Sequence, residues 1–174
     1  MPKLKPAVNS KDHVQGNKGA AIELVEYGDY QCPHCGRAYP IIKSIQQKMG
    51  DQLKFIFRNF PLAQIHPNAV NAALASEAAG LQDKFWEMHD YIFEHQNRLD
   101  DVSLTKYAAH LHLDVEKFET DFEQPGLTKK VDEDFESGVR SGVNGTPSFF
   151  INGEKYNESW DEEPFLDYLK ALIK

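Results

Sequence analysis

The chain has 174 residues, 41% of them hydrophobic, which is enough for one packed domain alone or with a subdomain. Its net charge of −8 argues against nucleic acid as the main partner, because phosphate binding needs a basic face. No apolar run approaches the roughly 20 residues that a helix needs to span a bilayer.

The N-terminal segment, residues 1–18, is polar and contains prolines and a glycine, so we interpret it as a flexible arm. It carries lysines but lacks the apolar stretch of a signal peptide. The sequence as given therefore predicts a cytoplasmic protein, or an extracytoplasmic one if an export signal has been removed.

Residues 19–60 predict a strand–helix–strand unit. Residues 20–27 form a hydrophobic run typical of a buried strand, and residues 28–29 are a turn signal. Helical apolar spacing follows the CxxC segment at 32–35 and stops at residue 50, while residues 52–60 alternate like a second strand. A strand, a helix and a strand of these lengths indicate a parallel βαβ unit.

The rest of the chain changes character twice. Residues 61–140 show helical spacing and no evident strand, which predicts an all-helical subdomain inserted between two sheet-forming parts. Residues 141–174 then predict a hairpin, with an Asn-Gly turn at 152–153, and a last helix whose capping box is residues 159–162. The predicted fold class is α/β, in the order βαβ, inserted helices, ββα.

The only two cysteines, Cys32 and Cys35, lie two residues apart between the first strand and the first helix. A structural disulfide is one alternative, but so small a loop would remove little unfolded-state entropy. Half of a zinc site is another, but no second CxxC supplies the remaining ligands, and we interpret His110 and His112 as solvated or capping residues. Redox chemistry, which needs no metal or cofactor here, is the interpretation that the layout favours.

The position of each residue in the motif predicts its role. Cys32 is expected at the exposed end of the helix, where unpaired N–H groups and the helix dipole stabilise a nucleophilic thiolate. Cys35, one turn further, is expected to be buried and protonated until it resolves the mixed disulfide. The imidazole of His34 is expected to donate a hydrogen bond or positive charge to the thiolate. Each pKa unit of thiolate stabilisation is worth ~1.4 kcal/mol, or about 30 mV, and makes the disulfide form more oxidising.

Two further segments are candidates for the same site. Glu26, in the first strand, is either a buried acid that accepts the proton of Cys35 or an edge residue that reaches water, and its spacing leaves both open. Thr146 and Pro147 precede the third strand, where a proline needs a strand end, a bulge or a cis bond, and trans is the commoner form. If the bond is cis and faces the CxxC, a substrate segment can add there as a short strand.

The Cys-Pro-His-Cys motif at 32–35 and the segment Gly-Thr-Pro-Ser-Phe-Phe-Ile-Asn-Gly at 145–153 together resemble the DsbA-like thiol:disulfide oxidoreductases. Residues 60–62, 66–69 and 85–89 are similar to the helical part of that family, so the resemblance covers about residues 20–174. It implies a thioredoxin fold with a helical insertion, a cis-proline pair Thr146–Pro147 beside the disulfide, and Glu26 as the buried acid. Pro33, Thr146 and Pro147 are then the expected substrate-binding residues. Some members of the family are exported, and some similar domains are joined to sodium/proton antiporters.

Three functions stay open at this point. The first is a DsbA-like oxidase that exchanges its disulfide with cysteines of protein substrates and is recycled by a redox partner. The second keeps the fold and reverses the electron flow, as a cytosolic dithiol reductase. The third is a redox-sensing binding module that regulates a partner protein, such as a membrane transporter.

Overall fold

The computed structural model describes residues 2–174 and is organised around a five-stranded mixed sheet. The strands are β1 (His13–Gly16), β2 (Ile22–Gly28), β3 (Leu53–Asn59), β4 (Ser148–Ile151) and β5 (Glu154–Tyr156). Their spatial order is β1-β3-β2-β4-β5. Only the β2–β3 pair is parallel, and the other three neighbouring pairs are antiparallel. The predicted βαβ…ββα sheet is confirmed, with one additional strand at its edge.

Seven α-helices accompany the sheet in the described part of the chain. They are α1 (Pro33–Met49), α2 (Ala69–Gly80), α3 (Phe85–Glu94), α4 (Asp101–His110), α5 (Val115–Phe122), α6 (Pro125–Arg140) and α7 (Glu162–Ala171). Helices α2 to α6 form the predicted helical insertion between β3 and β4. The last helix has Asp161 as its N-cap, so it begins later than the predicted capping box at Ser159. Over residues 2–174 we find no helix with the length and apolar character needed to cross a bilayer.

The N-terminal segment differs from the predicted arm, because it contains strand β1 and a buried Leu4. The guanidinium of Arg58, in β3, is buried and binds both carboxylate oxygens of Asp12 at 2.8 Å. It also donates to the carbonyl of Pro6 at 3.0 Å. A buried charge requires such partners, so Arg58 ties the segment to the sheet. A polar composition alone could not reveal a partner more than forty residues away.

The central strand β2 is buried on both faces, as expected for a strand with neighbours on each side. Val25 and Tyr27 belong to one apolar cluster, with Phe60 and Phe150. Ile22 and Leu24 point to the opposite face and join the larger cluster, which includes the cysteines and the insertion. Strand alternation puts Glu26 on this second face, the face that α1 covers.

Candidate active site

The turn between β2 and α1 carries the CxxC motif. Cys32 is the N-cap of α1, and Pro33 is its first helical residue. Proline suits this place because its missing N–H would have no helical partner and its φ is already helical. The carbonyl of Cys32 accepts the first helical hydrogen bond, from the N–H of Gly36 at 3.0 Å. The sulfur of Cys32 therefore lies at the positive end of a 17-residue helix.

Cys32 is the acidic thiol of the pair. Its pKa is lowered from 9.0 to about 5, chiefly because Cys35 hydrogen-bonds to its sulfur. Burial opposes this shift, while the backbone N–H groups of Cys35 and His34 add to it. With this pKa, Cys32 is mainly a thiolate at neutral pH, and the thiolate is the form that attacks a disulfide.

Cys32 is less exposed than we predicted for a residue at the exposed end of a helix. Only 4% of the residue is exposed, although Pro33 and His34 beside it are exposed. The segment before β4 lies against the sulfur, and its Thr146 carbonyl, 3.7 Å away, accepts a hydrogen bond from the protonated thiol. The nucleophile thus lies just below exposed residues instead of projecting into solvent.

Cys35 is fully buried, one turn into α1. Burial raises its pKa well above 9.0, and the hydrogen bond to Cys32 and the charges of Glu26 and Cys32 act in the same direction. The backbone N–H of Asp29 donates to its sulfur at 3.4 Å and acts in the opposite direction. Both cysteines are free thiols in this structure. The two sulfurs therefore differ strongly in acidity although two residues separate them.

Glu26 is buried, with 3% of the residue exposed. The side chain is therefore buried and does not reach water, while its role as acceptor of the Cys35 proton stays a prediction. Its pKa is raised from 4.5 to about 8, chiefly by burial and in smaller part by the negative charge of Cys32. Gly28 makes the room for this side chain, since a Cβ there would lie 2.6 Å from Oε2 of Glu26 and 2.5 Å from the ring of Phe57.

The imidazole of His34 makes no hydrogen bond to the sulfur of Cys32 in residues 2–174, so its expected effect through charge stays a prediction. The side chain is exposed, and the described residues offer its ring no hydrogen-bond partner. It is the backbone N–H of His34 that lowers the pKa of Cys32. The motif places this peptide group in the first turn of α1, where it is free of helical hydrogen bonds.

Thr146 and Pro147 stand beside the nucleophile, joined by a cis peptide bond. The hydroxyl of Ser148 donates to the carbonyl of Gly145 at 2.7 Å and so closes the turn that leads into β4. The Oγ1 atom of Thr146 is buried and has no hydrogen-bond partner within residues 2–174. Segments from the two ends of the sequence thus meet at Cys32.

Two residues at this site were missed by the sequence analysis. Asp29 was interpreted only as part of a turn signal, yet its side chain is completely buried and its carboxylate contacts the turn. Gln96, between α3 and α4, donates to the carbonyls of Tyr30 and Cys32 at 3.0 and 2.7 Å. An aspartate at the end of a strand carried a weak signal; a glutamine more than sixty residues from the motif carried none.

Other potential metal ligands do not gather around the cysteines. Over residues 2–174, no group of three or more His, Cys, Asp or Glu side chains is arranged to hold a metal ion. His110, one of the histidines considered earlier, packs against the ring of Tyr91, with centroids 4.8 Å apart.

Known proteins similar to this chain fall into two groups, and sequence relatives form the first. A family model described as thioredoxin matches residues 8–171. The chain is 39% identical over 170 residues to the Na⁺/H⁺ antiporter NhaA 1 of Mycolicibacterium vanbaalenii and 37% identical over 169 residues to the antiporter NhaA of Herminiimonas arsenicoxydans. Both alignments cover 97% of this chain but only 28% and 27% of the relatives. The chain therefore spans about a quarter of the length of these relatives.

Solved structures form the second group. BdbD of Bacillus subtilis, in its oxidised form, matches with a TM-score of 0.83 at 23% identity, over 99% of this chain and 96% of that one. α-DsbA1 of Wolbachia pipientis matches with a TM-score of 0.84 at 21% identity, over 96% and 93%. Likeness at such identities shows the fold, a thioredoxin-like sheet with a helical insertion. The family match over nearly the whole chain shows that this protein belongs to the thioredoxin family, and its fold is similar to that of BdbD and α-DsbA1.

Proposed function

We propose that this chain is a thiol:disulfide oxidoreductase that exchanges its Cys32–Cys35 pair with cysteines of protein substrates. The observation that carries the proposal is the opposite shift of the two thiols, with the pKa of Cys32 at about 5 and that of Cys35 well above 9.0. Exchange requires a thiolate that attacks and a second thiol that waits until the mixed disulfide has formed.

Each direction of exchange balances without a cofactor. In reduction, the Cys32 thiolate attacks a substrate disulfide, forms a mixed disulfide and expels one substrate thiolate. Cys35 then loses its proton and attacks the Cys32 sulfur, which releases the second substrate thiolate and leaves the enzyme disulfide. In oxidation the same steps run backwards, and the substrate receives the disulfide while the enzyme becomes the dithiol. Another redox protein must then restore the starting form.

The proton of Cys35 needs an acceptor during resolution, and Glu26 is our candidate. Its pKa of about 8 lets it take up and release a proton close to neutral pH, whereas an ordinary glutamate would stay ionised. It acts on Cys35 through its charge, which contributes to the raised pKa of that thiol. Pro33, Thr146 and Pro147 are the proposed substrate-binding residues, because they border the nucleophile on two sides.

The stabilised thiolate favours the oxidase direction. The pKa of Cys32 lies two units below neutral pH, and this stabilises the reduced form. The reduction potential is therefore roughly 60 mV higher than with an unperturbed thiol. A dithiol stabilised in this way makes the disulfide form a stronger oxidant. We therefore propose a DsbA-like oxidase, with a dithiol reductase as the alternative if the compartment is reducing.

A redox-sensing module is the second candidate, and one specific observation favours it. The sequence relatives are named Na⁺/H⁺ antiporters, and this chain matches about a quarter of each. A redox domain attached to a transporter can regulate it through redox-dependent association instead of turnover. Tight binding that changes with the redox state, together with weak catalysis, would distinguish this role.

The test is disulfide exchange in both directions with purified protein. The oxidised chain should form disulfides in a reduced, unfolded model protein, and the reduced chain should cleave insulin disulfides. Cys32→Ser should abolish both reactions, while Cys35→Ser should trap mixed disulfides. Exchange that persists in Cys32→Ser, or wild-type protein inactive in both directions, would refute the proposal. Equilibration with glutathione buffers then gives the reduction potential and decides between oxidase and reductase.

A further inference from the structure

The main chain of residues 30–32 is held by two side chains that the proposed chemistry does not use. The first is Asp29, whose Oδ1 accepts hydrogen bonds from the N–H of Gln31 at 2.7 Å and of Cys32 at 3.2 Å. Its Oδ2 accepts from the N–H of Leu62 at 2.9 Å and from Nδ1 of His66 at 2.8 Å. These four donors match the capacity of a carboxylate that is removed from water.

Gln96 holds the opposite side of the same segment. Its Nε2 donates to the carbonyls of Tyr30 and Cys32, so it binds acceptors where Asp29 binds donors. Gly36 leaves the space for this side chain, because a Cβ there would lie 2.2 Å from Oε1 of Gln96. Both N–H groups and two of the carbonyls around the nucleophile are thereby fixed by side chains.

This arrangement has a consequence for the sulfur. The N–H of Cys32 donates to both the side chain and the backbone carbonyl of Asp29, at 3.2 and 3.1 Å, and the N–H of Gln31 donates to the side chain alone. Neither N–H group therefore points at the sulfur. The peptide groups of the first turn of α1, at His34 and Cys35, remain free to face it. The direction in which these N–H groups point depends on the backbone conformation of residues 30–32. Side chains that hold this backbone therefore also hold the N–H groups in place.

We propose that Asp29 and Gln96 are positioning residues for thiol–disulfide exchange, which clamp residues 30–32 so that the first N–H groups of α1 face the sulfur of Cys32. Both halves of the clamp involve the helical insertion, since Gln96 belongs to it and Asp29 binds Leu62 and His66 within it. The insertion therefore acts on the nucleophile through hydrogen bonds to its backbone. The inference rests on the proposed function for its catalytic meaning.

The test measures the pKa of Cys32 in the reduced full chain, from thiolate absorbance and from the pH dependence of alkylation. Gln96→Met removes both donors without adding charge and should raise this pKa. Alkylation at a pH near the wild-type midpoint should slow about two- to tenfold, the range for one hydrogen bond lost at the sulfur of Cys32. Gly36→Ala keeps Gln96 but displaces its side chain, so it should also raise the pKa of Cys32. In the double variant the two shifts should not add, because both act through the same hydrogen bonds.

Substitutions of Asp29 separate positioning from charge. Removing a nearby negative charge by itself lowers the pKa of a thiol, whereas releasing the turn raises it. The clamp therefore predicts a raised pKa in Asp29→Ala and a smaller rise in Asp29→Asn, whose Oδ1 still accepts from Gln31 and Cys32 but whose amide nitrogen cannot accept from Leu62. A lowered pKa in both variants would mean that Asp29 acts through charge alone and would overturn its part of the proposal.

Gln82 provides the matched control. Its side chain binds both backbone groups of Asp114, at 2.9 and 3.1 Å, elsewhere in the insertion. Gln82→Met should lower thermal stability without changing the pKa of Cys32. An unchanged pKa in Gln96→Met, or an equal shift in Gln82→Met, would refute the clamp. The measured quantity here is the pKa of Cys32 and not the exchange activity. The clamp proposal can therefore be refuted while the wild-type protein is active, and it can be supported even if the protein is inactive.

Discussion

Replacing Glu26 by glutamine should make the stability of the reduced protein rise with pH. Burial raises the pKa of this carboxyl from 4.5 to about 8, so between these values the folded protein holds a proton that the unfolded chain releases. Stability therefore falls as the pH rises through this window and is constant above it. At ~1.4 kcal/mol per pKa unit, this carboxyl lowers the free energy of unfolding, relative to its value at low pH, by ~3 kcal/mol at pH 7 and ~5 kcal/mol above pH 8. Glutamine removes this penalty.

Cys32 contributes a slope of the opposite sign. Its pKa is lowered from 9.0 to about 5, so the unfolded chain holds the extra proton and stability rises with pH across that interval. The two slopes largely offset each other in the wild-type protein. Stability should therefore increase with pH in Glu26→Gln and decrease with pH in Cys32→Ala.

The assay is guanidinium unfolding under reducing conditions at several pH values from about 5 to 9. The buried amide has its own desolvation cost, but that cost does not vary with pH, so the slope is the decisive readout. Glu77 supplies the control, because its pKa is lowered, despite burial, by His13 and Lys130. Glu77→Gln should destabilise the protein at neutral pH. If Glu26→Gln has the wild-type slope, the carboxyl is not the raised acid described here and the reasoning fails.

Three further predictions concern single substitutions at the site. Cys35→Ala should raise the pKa of Cys32, because it removes the largest cause of its lowering; an unchanged alkylation midpoint would contradict this. His34→Ala should leave that midpoint nearly unchanged, because it keeps the backbone N–H and the ring makes no hydrogen bond to the sulfur; a large shift would show that the imidazole acts through its charge. Gly28→Ala should lower the free energy of unfolding by about 1–3 kcal/mol, because its methyl group meets the ring of Phe57; denaturant midpoints equal to wild type would refute the overlap.

Much of the fold follows from local sequence signals. The hydrophobic runs of β2 and β3, the Asn-Gly turn before β5 and the alanine-rich α2 each carry a pattern set by neighbouring residues. Strand β1 carries no such pattern, since it is short and polar and is held by a distant ion pair, Asp12 with Arg58. Local periodicity cannot reveal a strand that exists because of its partners.

The site divides in the same way. Cys32 and Cys35 could be identified because chemistry and spacing coincide in one motif. The burial of Glu26 could only be decided once both neighbours of β2 were in place, and the contact of Cys32 with Thr146 joins positions more than a hundred residues apart. Gln96 reaches the motif through packing of the insertion. Sequence reasoning thus found the reactive groups but missed the groups that orient them.

The coupling between Glu26 and Cys32 links electron transfer to proton transfer. Burial is the larger cause of the raised pKa of Glu26, and the charge of the Cys32 thiolate is the second. Oxidation to the disulfide removes that negative charge but leaves the carboxyl buried. The pKa of Glu26 should therefore fall on oxidation yet remain above 4.5, and the protein should release part of a proton near neutral pH. Carboxyl titration by NMR or infrared spectroscopy in both redox states measures this shift, with Cys32→Ala as the control that lacks the charge. Identical titration curves in the two states would show that the acid does not sense the nucleophile.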